Sequence, residues 1–443
     1  MLAHLQVHSN FSFHAGTMHP GEIPEIVARI GMKSVALTDR NGTHALVPFY
    51  QSARRNDIRP ILGVELDDPT DGCNLRATLL ARDLEGLGEI HHLVTKRQLD
   101  TDFRLLEELK PLSNHVEILS DRPRVLEELV GREGLSASLH LDPPKPRSHP
   151  GEGDGRAPAR HLYRTARRLN IPIAAARTTY FEFPEDYPLH RLLRSIGTRS
   201  TLSTTPPQAL APTTSYLHNS EAMRALYRPI PEAIHQTEAI VERCSDLELP
   251  LGVWKFPRVD LPEYQTAESW LHQRALDGFR KLYPTPDSRA RRRFQYELSV
   301  INQLGFAAYL LLVHDIIQET RRRESPCLGR GSAACSLICY CLGITHVDPL
   351  RYDLYFERFL NPERHDPPDI DLDLSWKERD QIREWIIQRY GADQVAMISV
   401  TNRYGRRSAL REAARAFGLP DQPLAPEIAR SLHSAAQKLE GLP

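Results

Sequence analysis

The chain has 443 residues, 41% hydrophobic and 26% charged, with a formal net charge of -1. This composition fits two or three globular domains and gives the whole molecule no electrostatic preference for a polyanion. No apolar run reaches the length of a membrane span, and the amino terminus lacks the profile of a secretory signal. We therefore expect a cytoplasmic protein that contacts no membrane.

The first half of the chain alternates amphipathic helices with apolar strands. Helices are predicted at 23–30, 45–56 and 84–96, and strands at 33–38, 60–65 and 77–81. This alternation is typical of a parallel α/β layer or barrel.

A stretch rich in proline, glycine and charge interrupts this pattern at residues 142–158. Such a composition builds no core, so we expect a disordered surface loop there. A helix at 159–169 and a strand at 171–176 are predicted directly after it. The loop therefore lies within one domain and does not separate two.

The second half begins after prolines at 250, 257 and 262, which predict a domain boundary. Helices are predicted at 272–283 and 288–304, followed by an apolar segment at 306–317. Arginines cluster at 291–293, at 321–323 and between 403 and 407. They either face phosphates or, as is common for exposed charges, solvate helix faces.

A glycine-rich sequence, Gly329-Arg330-Gly331-Ser332, directly precedes an apolar, helix-like stretch. Glycines allow backbone N–H groups to approach a phosphate, and a helix amino terminus adds unpaired donors with a partial positive charge. Glycine before a helix is also common without any ligand. The motif alone therefore leaves a phosphate cradle and an ordinary turn both open.

Three carboxylates alternate with apolar residues in Asp369-Ile370-Asp371-Leu372-Asp373. A strand here would place all three carboxylates on one face. Such crowding is costly unless cations are bound, and carboxylate oxygens suit Mg²⁺. The alternative is a solvent-facing edge strand whose charges prevent aggregation.

A stretch with two arginines, residues 356–364, lies between the two motifs and contains Arg358. A guanidinium beside a phosphate cradle and a metal site neutralises triphosphate charge. The three features together indicate phosphoryl transfer, which depends on metal ions and fixed cations.

The block at 329–374, with CYCLGIT and PPDID inside it, resembles the palm entry of bacterial C-family DNA polymerase III alpha subunits. CYCLGIT and PPDID, together with residues 390–420, are closer to the error-prone branch of that family. The stretches HLQVHSNFSFHAG, ALTDRNG and RPILGVEL resemble the family's PHP domain. The resemblance implies an α/β fold: a PHP-type (β/α)7-like barrel, then an α+β, polymerase-beta-like nucleotidyltransferase palm. It implies a PHP domain at 1–256, a first palm segment at 257–400 and the start of a thumb at 401–443.

The same resemblance assigns roles to individual residues. Gly331 and Ser332 would contact the phosphates of the incoming nucleotide, and Arg358 would neutralise their charge. Asp369 and Asp371 would act as the catalytic carboxylates that hold two Mg²⁺ ions.

The PHP metal ligands of that family are largely lost in this chain. Only His8 remains of the opening histidine pair, and Ala15 replaces an acidic residue. Arg40 and Arg177 stand where metal ligands are expected, and each repels a dication. We therefore expect no catalytic PHP metal cluster, and the alternative is one weak mononuclear site. The remaining His8, Asp39 and Glu65 would instead pair with Arg40 and Arg177.

By this comparison the chain is the amino-terminal portion of an error-prone DNA-directed DNA polymerase, acting on a DNA primer-template and dNTP. In the resembling polymerases the third palm carboxylate and the fingers lie further downstream, so we expect the two-metal site to be incomplete. A downstream polymerase fragment or other replication and repair proteins would then be partners. The alternatives are a non-catalytic module that binds DNA or a polymerase and, disfavoured by the lost ligands, a PHP phosphoesterase.

Overall fold

The structure is a computed structural model that describes residues 1–71, 75–142, 157–253, 255, 258–363, 368–419 and 426–443. The chain divides into two compact units. The first contains residues 1–250 together with 401–443, and the second contains residues 251–400.

The described residues of the first unit form eight strands, and most follow one another in chain order across the sheet. They are β1 (Gln6–Val7), β2 (Ser34–Leu37), β3 (Arg59–Asp67), β4 (Arg76–Ala81), β5 (Val116–Ser120), β6 (Leu135–Leu139), β7 (Ile173–Ala175) and β8 (Thr178–Thr179). Strands β2 to β7 form one sheet in that order. Strand β1 pairs in parallel with β8, and a bridge from His4 to Val35 joins its start to β2. This order confirms the predicted barrel-like α/β fold.

Strand β4 departs from the predicted parallel arrangement, because it runs antiparallel to both β3 and β5. The connection from Asp67 to Arg76 contains only a short 3-10 turn, Pro69–Asp71, among its described residues. A parallel crossover needs about a dozen residues or more. A connection as short as this one therefore returns the chain in the antiparallel direction.

Nine helices are described in residues 1–250. They are α1 (Ile23–Arg29), α2 (Leu46–Arg55), α3 (Leu84–Leu99), α4 (Leu105–Leu109), α5 (Pro123–Glu128), α6 (Ala157–Arg168), α7 (Tyr187–Gly197), α8 (Ser220–Leu226) and α9 (Pro231–Cys244). Strand residues divide between two cores: Ile61 packs with Ile240 of α9, whereas its neighbour Leu62 packs in the larger helix-covered core. Because both strand faces are covered, most strand residues are buried, and apolar side chains predominate among them. The loop predicted at 142–158 lies largely outside the described residues.

The second unit contains five helices and one pair of strands among its described residues. They are α10 (Ala267–Leu282), α11 (Ser288–Gln303), α12 (Ala307–Arg322), β9 (Cys327–Arg330), α13 (Leu337–Leu342), β10 (Asp371–Leu374) and α14 (Arg379–Tyr390). The predicted helices at 272–283 and 288–304 correspond to α10 and α11. Side chains of Asp287 and Thr266 cap these two helices. The core contains Phe279, Phe294, Leu310, Leu337, Phe356 and Phe359.

The last residues of the chain form α15 (Arg406–Ala416) and α16 (Pro426–Leu439). Both helices contact α7 of the first unit. Leu192 and Leu193 of α7 share one apolar cluster with Ala413 of α15 and Leu432 of α16. The assignment of residues 401–443 to the start of a thumb stays a prediction.

Within the described ranges, no single helix has the length and apolarity of a membrane span. Helices α11 and α12 reach that length and apolarity only when taken together, and they are bent by 112° at their junction.

Candidate nucleotide and metal-binding site

The acidic motif and the glycine-rich motif meet in one antiparallel strand pair. Arg330 lies opposite Asp371, Gly329 opposite Leu372, and Leu328 opposite Asp373. Leu372 packs against the core of the second unit, whereas the Asp371 and Asp373 side chains are 45% and 57% exposed. The alternation predicted for these two carboxylates is therefore present, and both lie on the solvent side of the strand.

Asp369 departs from the predicted strand, because β10 begins only at Asp371. Asp369 is exposed and directly follows the buried Pro368. Its potential partner strand ends at Arg330, where Gly331 turns the chain with a φ of 75°. A turn that requires positive φ is favourable for glycine and ends the ladder before it reaches Asp369.

Gly331 brings the glycine-rich turn to the carboxylates. A Cβ atom placed on Gly331 would lie 3.8 Å from Oδ2 of Asp371. Gly329 is required by space, since a Cβ atom there would lie 2.0 Å from the Ile344 carbonyl oxygen. Ser332 follows directly in a 3-10 turn, Gly331–Cys335. The backbone beside Ser332 and the Asp371 carboxylate therefore share one small region.

The helix predicted to begin at this turn starts later and does not offer free donors. Its first residue is Leu337, and Ser336 Oγ accepts from the backbone N–H of Cys339 at 3.1 Å. The buried carboxylate of Glu297 accepts from the backbone N–H of Ile338, also at 3.1 Å. These bonds occupy donors at the helix start. The 3-10 turn itself is left as the candidate phosphate cradle.

Glu297 belongs to a buried network that holds this turn. Its side chain is fully buried and accepts from Ser336 Oγ at 2.8 Å and from Arg293 Nε at 2.5 Å. Burial raises the pKa of Glu297, while hydrogen bonds from the backbone of Leu337 and Ile338 and from the Arg293 side chain oppose the increase. Arg293 also donates to the carbonyl oxygens of Cys335 and Leu354 at 3.0 and 2.9 Å. The pair thereby connects α11 to the end of the Gly331–Cys335 turn and to the segment that contains Leu354.

Sequence reasoning missed this network, although the pattern of α11 contains an indication of it. Glu297 stands with Phe294, Leu298 and Ile301 on the buried face of the helix. An acidic residue at such a position needs a partner, and Arg293 lies one turn earlier.

Arg358 ends a second 3-10 turn, Phe356–Arg358, which is anchored by the buried Phe356 and Phe359. This turn contacts the Gly331–Cys335 turn. Arg358 itself is exposed and forms no ion pair with the described residues. The turn carrying Arg358 is thus brought to the glycine-rich turn, while its predicted role in neutralising nucleotide charge stays a prediction.

Tyr309 of α12 lies at the carboxylates and was also missed from the sequence. Its hydroxyl forms a hydrogen bond with the backbone of Ile370. Burial raises the pKa of Tyr309, and the charges of Asp369 and Asp371 raise it further. Tyr309 therefore lies within electrostatic range of both Asp369 and Asp371.

Arg330 supplies the cation found at the acidic face. Its Nε lies 3.0 Å from Oδ1 of Asp373, and its Nη1 lies 3.6 Å from Oδ2 of Asp371. Within the described residues, no three histidine, cysteine or carboxylate side chains converge tightly enough to hold a metal ion. The donor chemistry nevertheless fits Mg²⁺, because exposed carboxylate oxygens are its preferred protein ligands.

In the first unit, the expected polar network around His8 is present only in part, because Glu65 pairs with Arg40 whereas Asp39 pairs with serines. The buried Asp39 accepts from Ser9 N at 2.7 Å, Ser9 Oγ at 2.6 Å and Ser12 Oγ at 2.7 Å. Burial raises its pKa to about 6 against the effect of these bonds. Arg40 Nε lies 3.3 Å from Oε1 of Glu65, and His8 Nε2 lies 3.8 Å from Oε2. Burial would raise the pKa of Glu65, but Arg76, His8 and Arg40 lower it to about 2.

Arg177 does not join this network as expected. It is fully buried, donates to the carbonyl oxygens of Leu141 and Thr214, and lies 3.8 Å from Asp142. The second cation that acts on Glu65 is instead Arg76, which pairs with Asp121 at 2.7 Å. Sequence reasoning missed Arg76 because strand β4 brings it to Glu65 only through the sheet.

Two family models match this chain. The model described as the PHP domain matches residues 4–135, and the model described as the bacterial DNA polymerase III alpha NTPase domain matches residues 269–441. Residues 4–135 are therefore similar to PHP domains, and residues 269–441 are similar to bacterial DNA polymerase III alpha NTPase domains. The resemblance drawn from the sequence motifs is thereby confirmed.

Curated relatives match along nearly the whole chain. The error-prone DNA polymerase of Mycobacterium tuberculosis (strain ATCC 25618 / H37Rv) is 32% identical over 94% of this chain and 40% of the relative. The DNA polymerase III subunit alpha of Bacillus subtilis is 30% identical over 99% of this chain and 43% of the relative. The chain therefore spans about 40% of the length of the curated relatives it matches.

Among solved structures, an amidohydrolase from Chromobacterium violaceum matches 41% of this chain and 88% of its own. The TM-score is 0.28 and the identity 14%, values too low to support any conclusion about the site.

The candidate residues fall within the two matched domains. The range matched to the polymerase NTPase domain, residues 269–441, contains Gly331, Ser332, Arg358, Asp369 and Asp371. His8, Asp39, Arg40 and Glu65 lie in the PHP domain, whereas Arg177 lies beyond the matched range.

Proposed function

We propose that the chain takes part in DNA-directed DNA synthesis of the error-prone C-family type, transferring a nucleotidyl group from dNTP to a primer 3′-hydroxyl. One observation carries this proposal. The glycine-rich turn lies beside alternating carboxylates in the Arg330–Asp371 register of the polymerase NTPase domain. The relatives named as DNA polymerases support the same reaction class.

In this proposal each motif has a separate task. Gly331 and Ser332 present backbone N–H groups and a hydroxyl to the nucleotide phosphates, and Arg358 neutralises their charge. Asp369 and Asp371 would hold Mg²⁺, with Asp373 on the same face as Asp371. Bound Mg²⁺ supplies charge stabilisation at the transferred phosphoryl group and activation of the primer hydroxyl. The Arg293–Glu297 pair keeps the turn in place.

The proposed substrates are a DNA primer-template and dNTP, and a cytoplasmic location follows from them. Other polymerase segments or replication and repair proteins are the proposed partners. If the chain binds DNA and nucleotide but incorporates none, alone or with a fragment covering the rest of such a relative, it acts as a binding module.

Binding of dATP with Mg²⁺ is expected to raise the melting temperature of the second unit. At ligand concentrations about 100-fold above Kd, linkage adds about 2.7 kcal/mol, which corresponds to roughly 5 °C or more for a unit of this size. Differential scanning fluorimetry measures the shift. The double variant Asp369→Asn with Asp371→Asn should lose it, whereas Asp393→Asn, which alters an exposed carboxylate elsewhere in the unit, should keep it. A full shift in the double variant would remove both carboxylates from the metal site.

We also propose that the PHP domain holds no catalytic metal cluster. Arg40 already forms an ion pair with Glu65, one of the few residues of a metal-binding type that remain. The full chain, purified and incubated with Mn²⁺ or Zn²⁺, should hydrolyse a phosphoester such as p-nitrophenyl phosphate no faster than its His8→Ala variant. Hydrolysis that requires His8 would instead establish a PHP phosphoesterase.

A further inference from the structure

Arg330 stands between the two motifs and binds both strand carboxylates. It is the last residue of β9, and its cross-strand partner is Asp371. Its guanidinium contacts Asp371 and Asp373 on one side of the strand pair. Residues directly opposite in an antiparallel pair have neighbouring Cβ atoms, so the register itself delivers the arginine to the acidic face.

The contacts of Arg330 use the atoms that a metal ion would need. Nη1 approaches Oδ2 of Asp371, the same oxygen that lies beside the Gly331 turn. Nε approaches Oδ1 of Asp373. A divalent cation at these oxygens would stand close to a fixed positive charge and would have to share or take over the carboxylate lone pairs. Arginine stays protonated at any physiological pH, so it cannot lose this charge.

The ion pairs of Arg330 with Asp371 and Asp373 can nevertheless separate. The side chains of Arg330, Asp371 and Asp373 are 59%, 45% and 57% exposed. Ion pairs that water reaches are weak, and a long flexible side chain can rotate away from them. The buried Arg293–Glu297 pair beside the same turn has the opposite character, since Glu297 is fully enclosed.

We propose that Arg330 is an internal counter-cation: it neutralises Asp371 and Asp373 when no divalent ion is bound and competes directly with metal binding. This inference rests on the proposed function, because it assumes that Asp371, together with Asp369, holds the metal and that Asp373 lies beside it. Arg330 then sets the metal concentration at which the site fills. It also removes the like-charge repulsion along β10 that would otherwise destabilise the empty strand pair.

The test is a titration of the full chain with Mn²⁺, a hard divalent ion that prefers oxygen ligands. Binding is monitored as a decrease in the electron paramagnetic resonance signal of free Mn²⁺. Arg330→Gln should bind Mn²⁺ about three- to tenfold more tightly than the unaltered chain, as expected when a weak competing ion pair is removed. Arg292→Gln is the charge-matched control, because Arg292 is an exposed residue of α11 with no ion pair to the described residues. It should leave the affinity unchanged.

Two results would overturn the proposal in distinguishable ways. If Asp369→Asn with Asp371→Asn abolishes Mn²⁺ binding but Arg330→Gln binds no more tightly than the unaltered chain, Arg330 is not a competitor and the metal site stands. If the double aspartate variant binds as well as the unaltered chain, or if neither the unaltered chain nor Arg330→Gln binds Mn²⁺, the metal site fails and the counter-cation with it.

Discussion

Replacing Glu297 by alanine is expected to lower the free energy of unfolding of the second unit by about 3–5 kcal/mol, the usual cost of removing one partner from a buried ion pair. The change leaves the half-buried Arg293 without its carboxylate. It also leaves Ser336 Oγ and the backbone N–H of Ile338 without an acceptor. Unmet donors in a core are expensive because water cannot replace the lost bond.

Urea unfolding followed by tryptophan fluorescence measures this loss in the right unit, because all four tryptophans, at 254, 270, 376 and 385, lie within residues 251–400. The matched control is Arg289→Ala. Arg289 lies on α11, as Glu297 does, and the change breaks its exposed ion pair with Asp353. Exposed pairs contribute about 1 kcal/mol or less, so this variant should remain close to the unaltered chain.

A second variant separates the ion pair from the fold. Replacing Arg293 by methionine together with Glu297 by leucine removes both charges, and apolar replacement of a buried pair is often tolerated. The double variant should therefore recover part of the stability lost in Glu297→Ala. It should not restore the nucleotide-dependent melting shift, since the turn at Gly331–Cys335 loses its tie to α11. Equal losses for Glu297→Ala and Arg289→Ala would contradict the role of the pair.

The first unit is expected to lose on the order of 5 kcal/mol of stability between pH 6.5 and pH 4. His4, His8 and His190 are buried, and burial lowers the pKa of each to about 4. The unfolded chain therefore binds protons in this window that the folded chain does not. Stability falls as pH falls, by about 1.4 kcal/mol per pH unit for each such proton.

Asp39 opposes this trend. Its pKa is raised to about 6, so the folded chain keeps a proton on Asp39 that the unfolded carboxyl loses above its ordinary value. Its contribution is therefore present at low pH and is lost as pH rises towards 6. Three histidines against one carboxyl leave a net loss on acidification. Below pH 4.5 the low pKa of Glu65, about 2, adds a further loss in the same direction.

Geometry supports the neutral state of His190. Its Nδ1 lies 2.8 Å from the Ala15 carbonyl oxygen, and its Nε2 accepts from the backbone N–H of Ala211 at 3.1 Å. A proton on Nε2 would face that N–H, so the folded environment admits only one tautomer. Glutamine offers both a donor and an acceptor without titrating.

The measurement is urea unfolding followed by far-ultraviolet circular dichroism at several pH values, with tryptophan fluorescence used to separate the second unit. His190→Gln should reduce the slope of unfolding free energy against pH by the equivalent of about one proton. Constant stability from pH 7 to 4.5 would show that the three histidines accept protons in the folded state.

Sequence patterns determined which residues form the candidate site and which face of the strand Asp371 and Asp373 occupy. A period of two in a strand places Asp371 and Asp373 together regardless of the rest of the fold. The positive φ at Gly331 and the crowding at Gly329 explain why glycine stands at both positions of the turn. Helices α10 and α11 occur close to the predicted ranges because their apolar periodicity and caps are local properties.

Only the tertiary structure decided which charges meet. The end of β9 at Arg330 excluded Asp369 from the ladder, and the register of β9 with β10 brought Arg330 to Asp371. The antiparallel course of β4 brought Arg76 to Glu65, while Arg177 turned to Leu141, Thr214 and Asp142. Ion-pair partners depend on distances of a few ångströms between segments far apart in the chain. Local periodicity contains no information about those distances, so the network had to be read from the folded chain.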